Sequence, residues 1–127
     1  MFLRKTVTKI FRFAYSHSLP NHNGRCKNLH GHNAKVEVTI GEPITLDRDV
    51  YPSMVIDFKD INVRVGAIID ELDHKHLNDV LPEQYLPATA ENCCAYLLAR
   101  IEEIGLKVVK IRFWEADDSY ATLEVVE

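Results

Sequence analysis

Cysteine is scarce in this chain, with three among 127 residues: Cys26, Cys93 and Cys94. An odd count that includes a vicinal pair does not make a disulfide scaffold. A reducing, cytoplasmic setting is the expectation that follows. No apolar run approaches the ~20 residues of a membrane-spanning helix, and Met1-Phe2-Leu3-Arg4-Lys5 lacks the apolar core of a signal peptide. The chain is therefore expected to be soluble. Neither sign of charge dominates: 15 Lys and Arg stand against 19 Asp and Glu, a net charge of −4, and the basic residues are scattered. That argues against nucleic acid or an anionic membrane as the main partner. Repeats, low-complexity tracts and interdomain linkers are absent as well. A single domain, 1–127, is expected, large enough to bury roughly two thirds of its unfolded surface.

What the chain does have is apolar alternation and a cluster of imidazoles. From Val7 to His17 the odd positions Val7, Lys9, Phe11, Phe13, Tyr15 and His17 form a mostly apolar face, with Thr8 and Arg12 opposite. From His30 the even positions His30, His32, Ala34, Val36, Val38 and Ile40 alternate with Asn33, Lys35, Glu37 and Thr39. Period two predicts two half-buried strands. Turn formers between them, Ser18-Leu19-Pro20-Asn21-His22-Asn23-Gly24, make a loop that displays Cys26. Side chains at i and i+2 of a strand share a face roughly 6.5–7 Å apart, so His30 and His32 can close on one ion if His17 comes from the adjacent strand end. Gly31 removes a side chain from between them. Three neutral imidazoles suit Zn²⁺ and leave the fourth tetrahedral position to water or substrate. Cys26 and His22 are the candidates to fill it, so spacing alone leaves a closed structural site as the alternative.

Gly41 to Tyr51 reads as a second loop. Phe58, Ile61, Val65, Ile68 and Leu72 then recur at helical spacing, with Asp57 or Asp60 available as N-cap. Pro82 and Pro87 mark the next connection, and Thr89 caps a second helix running to about Gly105 with the stripe Cys94, Leu97, Ile101 and Ile104. Cys93 and Cys94 are accordingly packing residues. Val109, Ile111, Phe113 and Glu115 share a face of a third strand, and Ala121, Leu123 and Val125 follow a turn at 116–119. The order ββααββ predicts an α+β domain, an antiparallel four-stranded sheet with two helices packed on one face. Glu115 ends an apolar face, where a carboxylate is costly to bury without a donor; a ligand amide, a salt bridge or solvent at the strand end would each satisfy it.

Six elements of the chain, Phe13-Ala14-Tyr15-Ser16-His17, Cys26-x-x-x-His30-Gly31-His32, Val55-Ile56-Asp57-Phe58, Leu72-Asp73-His74-Lys75-His76-Leu77-Asn78, Thr89-Ala90-Glu91-Asn92 and the late Glu115, occur in a telling order. Together they resemble the 6-pyruvoyltetrahydropterin synthase and 6-carboxytetrahydropterin synthase family, over nearly the whole length. The resemblance implies the tunnelling fold (T-fold), in which three subunits form a barrel and two barrels stack as a homohexamer with active sites at subunit interfaces. It implies that His17, His30 and His32 bind Zn²⁺ and that Cys26 is the proton-transferring thiol. Asp73 and His74 would be a second acid/base unit, Glu115 the anchor for the N2 and N3 edge of a pterin, and Thr89 a further contact to the ring. The family substrate is 7,8-dihydroneopterin triphosphate, whose hydroxyls a Lewis-acidic zinc would hold and acidify. A thiol becomes a usable base beside a cation, which zinc, Arg25 or Lys27 would provide, and an imidazole returns a proton near neutral pH. If Asp73 and His74 are both helical, their side chains diverge by about 100°, so no direct bond between them is assumed.

The wording of the motifs looks closest to the 6-carboxytetrahydropterin synthase branch, which releases acetaldehyde and triphosphate on the route to 7-deazaguanines such as queuosine. The alternatives are 6-pyruvoyltetrahydropterin synthase, which eliminates triphosphate without breaking a carbon–carbon bond, and a non-catalytic zinc- and pterin-binding module. Intact Cys26, Asp73 and His74 argue against the last. Two departures from the family pattern, Tyr15-Ser16 before the first histidine and Ala90 after Thr89, bear on substrate fit rather than on the chemistry. Cys26 itself argues against the subgroup that carries a glutamate near the His-Gly-His element instead.

Overall fold

The computed structural model describes residues 4–41 and 54–126. The two period-two segments form strands β1 (Thr6–His17) and β2 (His30–Gly41), paired antiparallel from Thr6↔Gly41 to His17↔His30. Phe11, Phe13, Tyr15 and His17 enter the core from β1, and Ala34, Val36, Val38 and Ile40 enter it from β2. Arg12 and Asn33 stay outside. The register sets Tyr15 opposite His32 and Ser16 opposite Gly31, where a Cβ would stand 3.3 Å from the Tyr15 carbonyl oxygen. Past Gly41, the loop expected to Tyr51 lies outside the described residues.

Helix α1 (Phe58–Asp70) begins at Asp57, whose carboxylate accepts from the Lys59 N–H at 2.8 Å, so Asp57 rather than Asp60 is the cap. Ile61, Val65, Ile68 and Ile69 form its buried side. Phe58, expected on that stripe, is 53% exposed at the first residue of the helix, beside Val7 and Met54 in an open cleft. Helix α3 (Ala90–Glu103) is capped by Thr89, whose hydroxyl accepts from the Asn92 N–H at 3.1 Å. It ends at Glu103, and Gly105 just beyond has φ 88°, a left-handed conformation that glycine adopts without strain. Cys93 and Cys94 are buried, as expected of packing residues. Burial pushes their thiols up to about 12 and about 11. Helix α1 packs on β1, and α3 packs on β4 (Val108–Ala116) and β5 (Ser119–Glu124), giving the expected α+β layering. No helix among the described residues is long and apolar enough to cross a membrane.

The sheet is larger than expected. A two-residue strand, β3 (Lys75–His76), joins β1 in parallel at Tyr15↔Lys75 and Ser16↔His76, making a mixed five-stranded sheet of order β3-β1-β2-β4-β5. Two residues are too few to register as alternation. One further helical turn, α2 (Leu77–Val80), follows it directly.

Strand β4 also carries two irregularities. Thr39 pairs with Lys110 and Ile40 with Val108, leaving Val109 as an extra residue. Trp114 pairs with Tyr120 and Ala116 with Ser119, leaving Glu115 as another. An inserted residue reverses the alternation of a strand. Val108 is therefore the residue that enters the core, only 2% exposed, and Val109 does not share the face of Ile111 and Phe113. On the far side of the sheet Trp114 stacks on Tyr120 with centroids 4.2 Å apart, and its indole N–H donates to Glu37 at 2.6 Å.

Candidate metal centre and active site

Strand pairing alone brings the three histidines together. His17 is the last residue of β1, His30 the first of β2 and directly opposite it, and His32 follows on the same face. One ring nitrogen from each lies within 4.8 Å of the others, the group among the described residues that could hold a metal ion. His17 Nε2 is 2.9 Å from His30 Nε2 and 3.2 Å from His32 Nε2. The other nitrogens decide what these contacts mean. His17 Nδ1 lies 2.7 Å from the Ala88 carbonyl oxygen and His30 Nδ1 lies 2.7 Å from that of Asn28. Carbonyls only accept, so both Nδ1 atoms donate, and in a neutral ring Nε2 is then a bare lone pair. Two lone pairs at 2.9 Å repel unless a cation lies between them. Nitrogens held 2.0–2.1 Å from a tetrahedral ion stand about 3.3 Å apart, close to the spacing seen. Burial holds the fully enclosed His17 ring below the ordinary histidine range, which favours the neutral, ligating form.

Glu115 overlooks this cluster. At the bulge that ends the paired part of β4 it still lies on the face of Ile111 and Phe113, and its Oε1 lies 3.6 Å from His17 Nε2 and 3.8 Å from His32 Nε2. The Tyr15 hydroxyl donates to the same oxygen at 3.5 Å. Burial first, and then the Glu115 charge, raises the Tyr15 hydroxyl well above its ordinary value, so it remains a donor. Its ring stands against those of His17 and His32, with centroids 5.1 and 5.4 Å away. Tyr15 is thus a site neighbour whose role the alternation did not reveal beyond core packing. Beyond Glu115 opens a cleft of about 410 Å³ lined by Ala90, Glu91, Tyr120 and Thr122.

Neither candidate for a fourth ligand joins the metal group. His22 Nδ1 accepts from the Gly24 N–H at 2.8 Å within the exposed loop. Cys26 sits in a 3₁₀ turn, Arg25–Lys27, with its side chain partly exposed and its carbonyl accepting from the Leu19 N–H at 2.8 Å. Arg25 and Lys27 are exposed beside it.

Asp73 and His74 are in direct contact, Nδ1 to Oδ1 at 3.0 Å, which the helical argument did not anticipate. The helix has already ended at Asp70, and His74 adopts φ 60°, turning its ring back over the preceding carboxylate. The left-handed conformation costs a non-glycine residue about 1–2 kcal/mol, offset here by hydrogen bonds to Ala14 on both sides. The Ala14 N–H donates to Asp73 Oδ1 at 3.0 Å and the His74 N–H donates to the Ala14 carbonyl at 2.7 Å. The Ala14 amide, more than His74, holds the Asp73 carboxyl below the usual range. The pair lines a cleft of about 560 Å³ with Arg12, Asn33, Lys35 and Asp117. None of the three histidines, Cys26 or Glu115 lines that cleft. Thr89, for its part, spends its hydroxyl on capping α3.

Comparison with known proteins gives the family. The family model described as 6-pyruvoyl tetrahydropterin synthase matches residues 6–125. A protein of Archaeoglobus fulgidus provisionally named 6-carboxy-5,6,7,8-tetrahydropterin synthase is 35% identical over 87% of this chain and 88% of its own length. The 6-carboxy-5,6,7,8-tetrahydropterin synthase of Haemophilus influenzae is 30% identical over 90% of this chain and 94% of its own. The structure of Caenorhabditis elegans 6-pyruvoyl tetrahydropterin synthase, 21% identical, superposes with a TM-score of 0.80 over 99% of this chain and 100% of that one, so the fold is shared. With every motif of the metal and acid/base groups inside the matched span, this chain belongs to the 6-pyruvoyl tetrahydropterin synthase family.

Proposed function

We propose that this chain is a zinc-dependent 6-carboxy-5,6,7,8-tetrahydropterin synthase, a lyase that converts 7,8-dihydroneopterin triphosphate to 6-carboxytetrahydropterin with release of acetaldehyde and triphosphate. Its place would be in the cytoplasm, on the route to 7-deazaguanines such as queuosine. The observation that carries the reading is the trio of imidazoles, two of them locked by carbonyls so that bare lone pairs face one point. His17, His30 and His32 would hold the zinc, which when bound supplies a Lewis acid for the hydroxyls of the substrate side chain.

The remaining steps belong to the protein's own groups. Cys26, partly exposed on its loop, takes a proton as thiolate. Asp73 holds His74 by Nδ1, leaving Nε2 of an 81% exposed ring to exchange a proton. Glu115 accepts the N2 and N3 hydrogens of the pterin, aligned by the Tyr15 hydroxyl. Thr89, at the start of α3, orders the main chain beside the ring.

A homohexamer, as a dimer of trimers, completes this reading. Asp73 and His74 line a cleft apart from the histidines, so an interface that brings two subunits together would unite the groups. The sheet offers edges for it: β5 is terminal, and β1 carries β3 only at Tyr15 and Ser16.

Incubation with 7,8-dihydroneopterin triphosphate and mass spectrometry of the products is the direct test. Acetaldehyde together with 6-carboxytetrahydropterin is the expected result. Triphosphate release with the pterin side chain intact would assign the 6-pyruvoyltetrahydropterin synthase reaction instead, and binding without turnover would leave a zinc and pterin module.

A further inference from the structure

The segment from Asp73 to Asn78 runs beside the end of β1. Asp73 and His74 bracket Ala14, as described, and β3 pairs with Tyr15 and Ser16. The Ser16 hydroxyl lies 3.0 Å from His76 Nδ1. At Leu77 the main chain turns into α2 and leaves the sheet. The pairing nevertheless continues one step further. Asn78 Oδ1 accepts from the Ser18 N–H at 2.9 Å, and Asn78 Nδ2 donates to the Ser18 carbonyl at 2.9 Å.

A primary carboxamide holds one acceptor and one donor side by side, as a peptide group does. The Asn78 side chain therefore stands in for the next strand residue where the main chain has departed. An aspartate would accept but not donate, and leucine or alanine would do neither.

What this holds in place is His17. It is the one fully buried member of the histidine trio and the last residue of β1, followed by a loop exposed from Pro20 to Arg25. Ala88 fixes its ring; the main chain on either side is fixed by the pairing of Ser16 with His76 and by Asn78 at Ser18. Without Asn78 the strand end would fray by one residue, and the buried ring would lose its angle toward His30 and His32. We infer that Asn78 is a positioning residue for the metal centre, acting on His17 through the Ser18 main chain. The inference rests on the proposed ligation of zinc by His17, His30 and His32.

The test compares Asn78→Ala with Asp57→Ala, which removes the cap of α1 and so lowers stability away from the histidines. Zinc affinity is measured by competition with a chelating dye, and the visible spectrum of the Co²⁺-substituted protein reports ligand geometry. Asn78→Ala is expected to weaken zinc binding about 10–100-fold, the usual loss when a group supporting a ligand is removed, and to alter the cobalt bands. Asp57→Ala should lower the melting temperature with zinc affinity and bands unchanged. Equal affinity and spectra in Asn78→Ala and wild type would overturn the inference, as would equal losses in both variants. Wild-type protein that binds no zinc would instead overturn the metal centre itself. If Asn78→Ala does not fold, Asn78→Asp, which keeps the acceptor for Ser18 and loses the donor, gives the same comparison.

Discussion

Single side chains account for most of the chemistry, and their removal separates the roles. His32→Ala should abolish stoichiometric zinc and turnover together, read by metal analysis and the product assay, because two imidazoles leave an open ion weakly held. Cys26→Ala should reduce turnover by about 10²–10⁴-fold, the range for a lost acid/base group, with zinc content intact; loss of zinc instead would make Cys26 a ligand. Glu115→Gln keeps the shape but replaces one acceptor by a donor. With charge-assisted hydrogen bonds contributing about 1.5–3 kcal/mol, pterin affinity measured calorimetrically should fall roughly 10- to 150-fold. Asp73 supplies a pH dependence. Its carboxyl is held below the usual range, mainly by the Ala14 amide, so the stabilisation is complete above the ordinary value of about 3.9 and is lost as pH falls through the lower folded value. Wild type and Asp73→Ala should therefore differ by a constant melting temperature above about pH 5 and converge in more acidic solution. The histidine trio was legible in the sequence because i, i+2 spacing on one strand and a strand end opposite need nothing beyond pairing. The Asp73–His74 contact was not, since it depends on a left-handed residue whose type does not announce the conformation.

Elements place these side chains, and α3 does so while carrying much of the core. Thr89→Ala removes a cap and should cost about 1 kcal/mol of stability, measured by denaturant unfolding. If Thr89 also touches the pterin ring, the variant will lose affinity for a pterin analogue as well; unchanged affinity would leave it a cap alone. Leu97, with no exposed surface, is a purely structural comparison, and Leu97→Ala should destabilise by about 2–5 kcal/mol. Alternation and helical spacing were enough to find β1, β2, α1, α3 and the last two strands, because each presents one long apolar face. They could not find β3 and α2, two and four residues long, which exist through contacts with β1. Nor could they find the bulges in β4. Alternation placed Val109 and Glu115 on one face with Ile111 and Phe113; the extra residue near the start of β4 turns Val109 away from the core, while Glu115 keeps that face and reaches Tyr15 and the histidines.

At the scale of the whole molecule, the sheet among the described residues ends at β3 and β5, and a strand edge invites pairing with another copy. Sedimentation equilibrium is expected to give six times the chain mass of 14.6 kDa, and a monomer with full turnover would reject an interface-built site. The far face of the same sheet has a practical consequence. Trp114 is the sole tryptophan, next in the chain to Glu115, and it stacks on Tyr120, which lines the cleft beyond that carboxylate. Lys35 lies over the indole at 4.1 Å. A molecule entering the cleft would reach the ring on which the indole rests, so its arrival is expected to change the light the indole emits, which an emission titration with a pterin analogue checks. Such a change would give the protein an intrinsic optical gauge of occupancy, one lamp per chain, readable in unlabelled material.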